Sequence, residues 1–372
     1  MTPTRPESTT SSRAIRVTLV LASANRRGAE MQGEALSREL RALGVSIRVV
    51  ALTASASADA ALDVRVLGRR ALAPLTLRRL AQETRSTDLA IGYGSTTLPA
   101  LSLVSAATRR PFIYRSIGNP ADWARGSLHR ARTRALFTRP VHVAALFDRA
   151  SASLGSLYGV APERRSVIPN ARSSRHFVPP SAEERGAARR ALGVSSDGPV
   201  IAFIGALADE KRPQVALDVF DHVEGATLVV AGDGPQRTAL EAGVARRGRA
   251  SRVRLLGAIP DVRPVLAAAD VLLITSSTEG MPGSAIEAAL MGVPSVAPDV
   301  GAVREVVSEG GRVVAQDAVA QEYAHAIADV SAERDRLGDV ARAHVMANFT
   351  WDVVAPVWLG LIERIAERSP TD

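Results

Sequence analysis

Short runs of Val, Ile, Leu and Ala recur along this chain, and stretches of helical periodicity fill the gaps between them. Strands separated by helix-length connections pair in parallel, because a tight hairpin cannot join them. The first series runs Ile15–Ala22, Ile47–Leu52, Val64–Leu67, Asp88–Gly92, Pro111–Arg115 and Val141–Ala145, with a helix from about Glu30 to Leu43 closed by Gly44. Composition then changes between Asn170 and Pro199, where Pro169, Pro179 and Pro180 precede the charged stretch Glu183–Arg190. A second series follows: Val200–Gly205, Ala226–Ala231, Val253–Leu256, Val271–Thr275, Ser295–Pro298 and Gly311–Val314. A last helix, Trp351–Arg368, has room to pack back across the domain boundary. The expected architecture is α/β: two Rossmann-like, doubly wound parallel-sheet domains facing a central cleft. The expected division is a disordered tail over 1–13, a first domain over 14–175, a hinge over 176–198, a second domain over 199–348 and a closing helix over 349–372. At 372 residues, two cores are the natural reading.

Aromatic residues make up only 4%, so the cores must be built from small aliphatic side chains. The absence of cysteine excludes disulfides, a thiol nucleophile and a thiolate metal site. The net charge of +8 fits phosphates, anionic lipid or nucleic acid without choosing among them. The apolar run Val17–Ala22 is short and leads into Asn25-Arg26-Arg27, so a first strand suits it better than a signal peptide. No stretch approaches the roughly 20 apolar residues of a membrane span. The expected compartment is the cytoplasm.

The segment Ser277-Thr278-Glu279-Gly280-Met281-Pro282-Gly283-Ser284-Ala285-Ile286-Glu287 joins a buried-looking strand to a helix. Pro282 suits a first helical position, where its missing N–H costs nothing. Gly283 and Ser284 then fall in the first turn, with amides and the helix dipole directed at an anion. Glu279 on the loop and Glu287 in the helix flank that point, free to accept hydrogen bonds from sugar hydroxyls. The plainer alternative is a capping Glu279 and a solvated Glu287.

A second segment, Ile204-Gly205-Ala206-Leu207-Ala208-Asp209-Glu210-Lys211-Arg212-Pro213, leaves the strand that begins at Val200. Lys211 is the only lysine in the sequence; every other cationic side chain apart from histidine is arginine. A compact, flexible ammonium suits a diphosphate, whereas the plainer reading is a surface lysine. Gly232-Asp233-Gly234-Pro235 alone is a tight turn. The strand Val253–Leu256 exits through Gly257 to a loop where Ile259 could meet a nucleobase.

With these motifs in place, the chain from about Ile15 to Phe349 resembles the retaining glycosyltransferases of family 4, which have the GT-B fold. The resemblance rests on the segment ending at Lys211, on Gly232-Asp233-Gly234-Pro235, on the Glu-x7-Glu pair Glu279 and Glu287, and on the hinge-region Val167-Ile168-Pro169-Asn170. It implies that Glu287 holds ribose hydroxyls, Lys211 the diphosphate, Glu279 the donor-sugar hydroxyls, and the Gly283 and Ser284 amides a phosphate. Three departures stand out. Ala206 occupies a place where the family often has a second cation, an arginine. One glycine of a first-domain pair is replaced in Arg27-Gly28-Ala29-Glu30. No histidine appears in Tyr114–Pro120. Arg27, with Gly28 beside it, and Arg115 are the first-domain candidates for phosphate or acceptor contacts.

The expected reaction moves a sugar from a nucleotide-diphosphate sugar to an acceptor with retention. Cations and N–H dipoles would stabilise the departing diphosphate, with Lys211 and Glu279 as the catalytic pair and no protein nucleophile. No Asp-x-Asp motif is present, so neither a metal nor another cofactor is expected. Two rivals remain open: a GT-B-fold sugar-nucleotide 2-epimerase, and a non-catalytic protein that binds sugar nucleotides. Nucleic acid is not expected, since no aromatic-rich basic motif accompanies the charge. The stretch 123–139 carries Arg125, Arg130, Arg132, Arg134 and Arg139 with Leu128, Leu136 and Phe137. It could form a basic amphipathic helix at the inner face of an anionic membrane, although a solvated helix is the plainer alternative.

Overall fold

The computed structural model describes residues 14–26, 28–55, 61–123, 126–194 and 198–368. The expected tail over 1–13, Arg27, Arg125 and part of the expected hinge lie outside the described residues. Packing divides the chain into two compact units, one of residues 1–115, 131–143 and 355–372, the other of 116–130 and 144–354.

A seven-stranded sheet is built from β1 (Arg16–Ser23), β2 (Ser46–Thr53), β3 (Arg65–Gly68), β4 (Leu89–Tyr93), β5 (Phe112–Arg115), β6 (His142–Ala145) and β7 (Arg165–Val167), in the order β3-β2-β1-β4-β5-β6-β7. β1 pairs in parallel with both β2 and β4, and Leu19, Val20 and Leu21 are buried between layers. Apolar residues fill consecutive positions of β1 because helices cover both faces of such a sheet. The short β7 has no counterpart in the sequence reading. Its three residues, Arg165-Ser166-Val167, lack an apolar run.

A six-stranded sheet follows from β8 (Val200–Ile204), β9 (Thr227–Ala231), β10 (Val253–Gly257), β11 (Val271–Leu273), β12 (Ser295–Pro298) and β13 (Gly311–Val314), in the order β10-β9-β8-β11-β12-β13. Its neighbouring strands are all parallel. Ile201, Phe203, Leu228, Val230, Val271, Leu273 and Val296 form its core with Leu217 and Phe220 of one covering helix and Tyr323 and Ile327 of another. The doubly wound parallel class expected from the sequence is the class observed. Connections reverse direction between β8 and β11, which are hydrogen-bonded neighbours although two strands separate them in the chain. A crevice opens at the carboxyl ends of strands at such a reversal, and ligands of open α/β sheets bind there.

The charged stretch before β8 forms the helix Ala182–Ala191, started by a capping box between Ser181 and Glu184. Arg185 and Arg189 reach Asp270 at 2.5 and 2.6 Å, and Asp270 also accepts from the Val200 amide at 2.7 Å. One carboxylate thus ties this helix to the first residue of β8. The helix Trp351–Glu367 has its first four residues in the second unit and the rest in the first.

Candidate active site

The loop after β8 is shaped by backbone contacts that leave no room for side chains. The Gly205 amide donates to Ala231 O, the Leu207 amide to Asp233 O, and the Gln236 amide to Leu207 O, at 2.8–3.0 Å. A Cβ on Gly232 would lie 1.8 Å from Gly205 O, and one on Gly234 would lie 2.5 Å from Leu207 O. The Gly-Asp-Gly turn therefore serves as a brace for the lysine loop, which sequence alone did not reveal. The chain then makes a short turn over Asp209–Lys211 and passes through Arg212 at φ 48°. This left-handed conformation is uncommon for a residue other than glycine, and surrounding bonds must hold it. They come from the loop after β11. Arg212 Nε donates to Thr275 O at 2.5 Å, Thr275 Oγ1 donates to the Lys211 and Arg212 carbonyls at 2.8 and 3.0 Å, and the Ser277 amide donates to Glu210 O at 2.8 Å. β11 ends two residues earlier than expected, at Leu273, as the chain turns toward these bonds.

Stitched in this way, the two loops bring Lys211 Nζ within 2.5 Å of Glu279 Oε1. The same oxygen accepts from Ser276 Oγ at 2.7 Å. Glu279 is 10% exposed and Lys211 28%, so the pair is open to solvent on the lysine side. Gly301, at φ 56°, underlies the acidic loop: a Cβ there would lie 2.0 Å from Glu279 O.

The helix Gly283–Leu290 begins four residues after Glu279, with Pro282 as its N-cap at ψ 106°. Pro282 therefore precedes the helix instead of opening it as expected. Gly283 and Ser284 do occupy the first turn, whose amides have no acceptor within the helix. The first turn carries no acidic side chain to offset the positive end of the helix dipole. Glu287, one turn in, is 16% exposed and accepts from Arg172 Nε at 2.5 Å. It is therefore not turned to bulk solvent. Arg172 follows Ile168-Pro169-Asn170 and was not among the sequence candidates.

Ile259 lies half-buried in the loop after β10, at the same edge of the sheet but two strands from β8. Gly28 is exposed at the start of the helix Gly28–Ala42, and Arg27 lies outside the described residues. Arg115 has 0% exposure, and its guanidinium faces the rings of Tyr93 at 6.0 Å and Trp358 at 5.6 Å. Burial pushes its pKa below the usual arginine value, with Tyr93 opposing that shift. In the helix Ser127–Leu136 the arginines are exposed, while Phe137 just beyond it is buried edge-on to Tyr114. Among the described residues, no helix is long and apolar enough to cross a membrane.

Comparison with known proteins bears on this geometry directly. Residues 198–333 match the family model for glycosyl transferases group 1. The matched segment holds the second sheet with its helices, and Lys211, Glu279, Gly283 and Glu287 all lie within it. The chain is 34% identical over 179 residues to the 2-deoxystreptamine glucosyltransferase of Streptomyces kanamyceticus, covering 46% of each protein. It is 32% identical over 238 residues to the D-inositol 3-phosphate glycosyltransferase of Jonesia denitrificans, covering 58% of this chain and 55% of that one. These matches thus span about half the length of the curated relatives. Among solved structures, Anabaena Alr3699/HepE in complex with UDP and glucose superposes with a TM-score of 0.82 at 20% identity, covering 94% of this chain and 99% of that one. WaaG, a glycosyltransferase involved in lipopolysaccharide biosynthesis, gives a TM-score of 0.71 at 17% identity, covering 96% and 100%. The chain thus has the fold of these structures, the GT-B fold expected from its motifs.

Proposed function

We propose that this chain transfers a sugar from a nucleotide-diphosphate sugar to an acceptor, with retention and without a metal. The observation that carries the reading is the Lys211–Glu279 pair at 2.5 Å, held where the connections of the second sheet reverse and just ahead of a helix start. A diphosphate placed at Gly283 and Ser284 would meet two amides and the positive helix end, with the Lys211 ammonium free to exchange Glu279 for phosphate oxygens. As the sugar–oxygen bond breaks, charge grows on the phosphate, and these groups need not reorganise to stabilise it. Glu279, released from Lys211, would accept from donor-sugar hydroxyls. Glu287 keeps one carboxylate oxygen for ribose while the other holds Arg172. A carboxylate has acceptor capacity for both tasks. HepE in complex with UDP and glucose, and the 2-deoxystreptamine and D-inositol 3-phosphate glycosyltransferases among the curated relatives, support the class of donor and the breadth of acceptors. They do not select one for this chain.

The decisive experiment incubates the purified protein with UDP-, GDP- and ADP-sugars in turn, with aminocyclitol, inositol phosphate and glycan acceptors, in buffer with excess EDTA. Release of nucleoside diphosphate together with an α-linked product from an α-linked donor supports the reading. Binding without turnover would instead favour a sugar-nucleotide-binding protein. The reading also allows a peripheral contact with anionic membrane through 123–139, since Leu128 is 74% exposed beside the exposed Arg130, Arg132 and Arg134.

A further inference from the structure

Resting on that reading, we infer that Arg172 is a second cation for the donor diphosphate, supplied by the segment before the second sheet. The charge of the site motivates this. The candidate site carries two carboxylates, Glu279 paired with Lys211 and Glu287 paired with Arg172, and Lys211 alone would leave it net negative for an anionic ligand. Arg172 restores the balance, and the helix dipole adds a further positive contribution of about half a charge. Ala206 provides nothing toward it.

Geometry places the guanidinium on the right surface. Gly283 and Glu287 lie one turn apart on the same face of their helix. Arg172 Nε donates to Glu287 Oε1 at 2.5 Å, and Nη1 donates to Ala171 O at 3.0 Å. Nη2 is directed to the helix start, where a Cβ on Gly283 would lie only 1.9 Å from it. A side chain at Gly283 would therefore displace the guanidinium that lies across its Cα. The backbone of Arg172 is fixed independently of its side chain. Its amide donates to Phe349 O at 2.9 Å, and its carbonyl accepts from the Trp351 amide at 3.2 Å. The planar fork of an arginine can hold a carboxylate with one edge and a phosphate oxygen with another in a fixed geometry that an ammonium on a flexible stem does not impose. Arg172 then acts twice: it orients Glu287 for ribose, and it touches the diphosphate that leaves.

The test titrates UDP, GDP and ADP, and the matching nucleosides, into the wild type, Arg172→Gln, Arg172→Lys and Gly283→Ala, with melting temperatures recorded for each. For the nucleotide that wild type binds, Arg172→Gln should weaken diphosphate binding by about tenfold or more. Nucleoside binding should fall by clearly less than diphosphate binding, since only the orientation of Glu287 is lost there, and Arg172→Lys should recover part of the loss. Gly283→Ala, which displaces the guanidinium and keeps its charge in the protein, should also weaken diphosphate binding. Unchanged or tighter diphosphate binding by Arg172→Gln overturns the inference, because Arg172 would then be a latch on Glu287. Equal losses for nucleoside and diphosphate overturn it as well, leaving Arg172 a role through Glu287 alone. A folded wild type that binds none of the three diphosphates removes the donor reading itself, and the inference with it.

Discussion

The hydroxyl of Thr275 donates to the carbonyl of Lys211 at 2.8 Å, and this bond ties the loop after β11 to the residue that carries the ammonium. Thr275 is fully buried, so its hydroxyl has no water to turn to if the carbonyls move. Replacing it by valine keeps the shape and takes away the Lys211 carbonyl's bond, while the Arg212 carbonyl still accepts from the Val215 amide at 3.0 Å, at a cost of about 1–3 kcal/mol. We expect Thr275→Val to retain the fold with a lowered melting temperature, and to lose about tenfold or more in kcat/KM for the donor. Steady-state kinetics beside thermal unfolding will check this. Full activity at an unchanged melting temperature would show that the two loops hold each other without the hydroxyl.

The brace beneath the lysine loop makes a sharper prediction. A methyl at Gly232 would lie 1.8 Å from the Gly205 carbonyl, and one at Gly234 would lie 2.5 Å from the Leu207 carbonyl. Backbone atoms offer no flexible end to yield, so the loop itself must shift. Gly232→Ala should therefore reduce donor turnover more than Gly234→Ala does, and both should exceed a control substitution at the exposed Ala258. The comparison reads the rank order of donor kcat/KM across the three variants. A displacement near 1 Å at a catalytic group is enough to cost about 100-fold.

These relationships mark where sequence reading reaches and where it stops. The strands were legible because both faces of a parallel sheet are covered, so Leu19–Ala22 and Val200–Phe203 are unbroken apolar runs. Lys211 was legible because it is the only lysine in the chain. Arg172 was not, since one arginine among so many carries no singular signal. Its role depends on a helix more than a hundred residues further along the chain. Gly301 was hidden for a similar reason: its contact with the Glu279 carbonyl is tertiary, and its left-handed backbone has no signature of its own. The full burial of Arg115 was not legible either, because burial cannot be read from one residue's identity.

That position gives a third prediction. With no exposed surface and two aromatic rings beside it, Arg115 should act on stability rather than on the donor. Arg115→Met keeps the apolar stem and removes the buried charge, whereas Arg115→Ala also opens a cavity. Truncating a large buried side chain to alanine costs about 2–5 kcal/mol. We expect Arg115→Ala to melt well below Arg115→Met, with donor KM in the methionine variant within about twofold of wild type. A KM rise of about tenfold in a folded Arg115→Met protein would return Arg115 to the binding machinery.

Membrane contact through 123–139 can be tested with similar economy. Because Phe137 is buried against Tyr114, the helix Ser127–Leu136 offers Leu128 and exposed arginines but no wide apolar face. Association would then be electrostatic, weakened as the screening length falls with salt. In flotation assays the protein should rise with anionic vesicles at low ionic strength, stay down with zwitterionic vesicles, and be released by about 0.5 M salt. Reversal of Arg130, Arg132 and Arg134 to glutamate should abolish the binding. Flotation that persists in high salt would instead require an apolar insertion.

The last prediction concerns acid stability beside Ile259. Asp261 accepts from the Arg263 amide at 3.0 Å and from the Arg263 guanidinium at 2.7–3.0 Å. The guanidinium bonds hold its carboxyl below the usual range, burial opposes them, and the bond from the Arg263 amide adds to the lowering. A carboxyl with a depressed folded pKa binds protons more readily in the unfolded chain. Its stabilisation is therefore complete above the unfolded value and is lost as pH falls through the folded one. Asp261→Asn should lower the melting temperature at neutral pH, and the gap to wild type should close as the pH falls below the ordinary carboxylate range. Solvent screening at this partly exposed position keeps the effect small. A gap that stays constant down to the most acid pH at which the protein folds would mean that the carboxylate's charge contributes nothing to stability here.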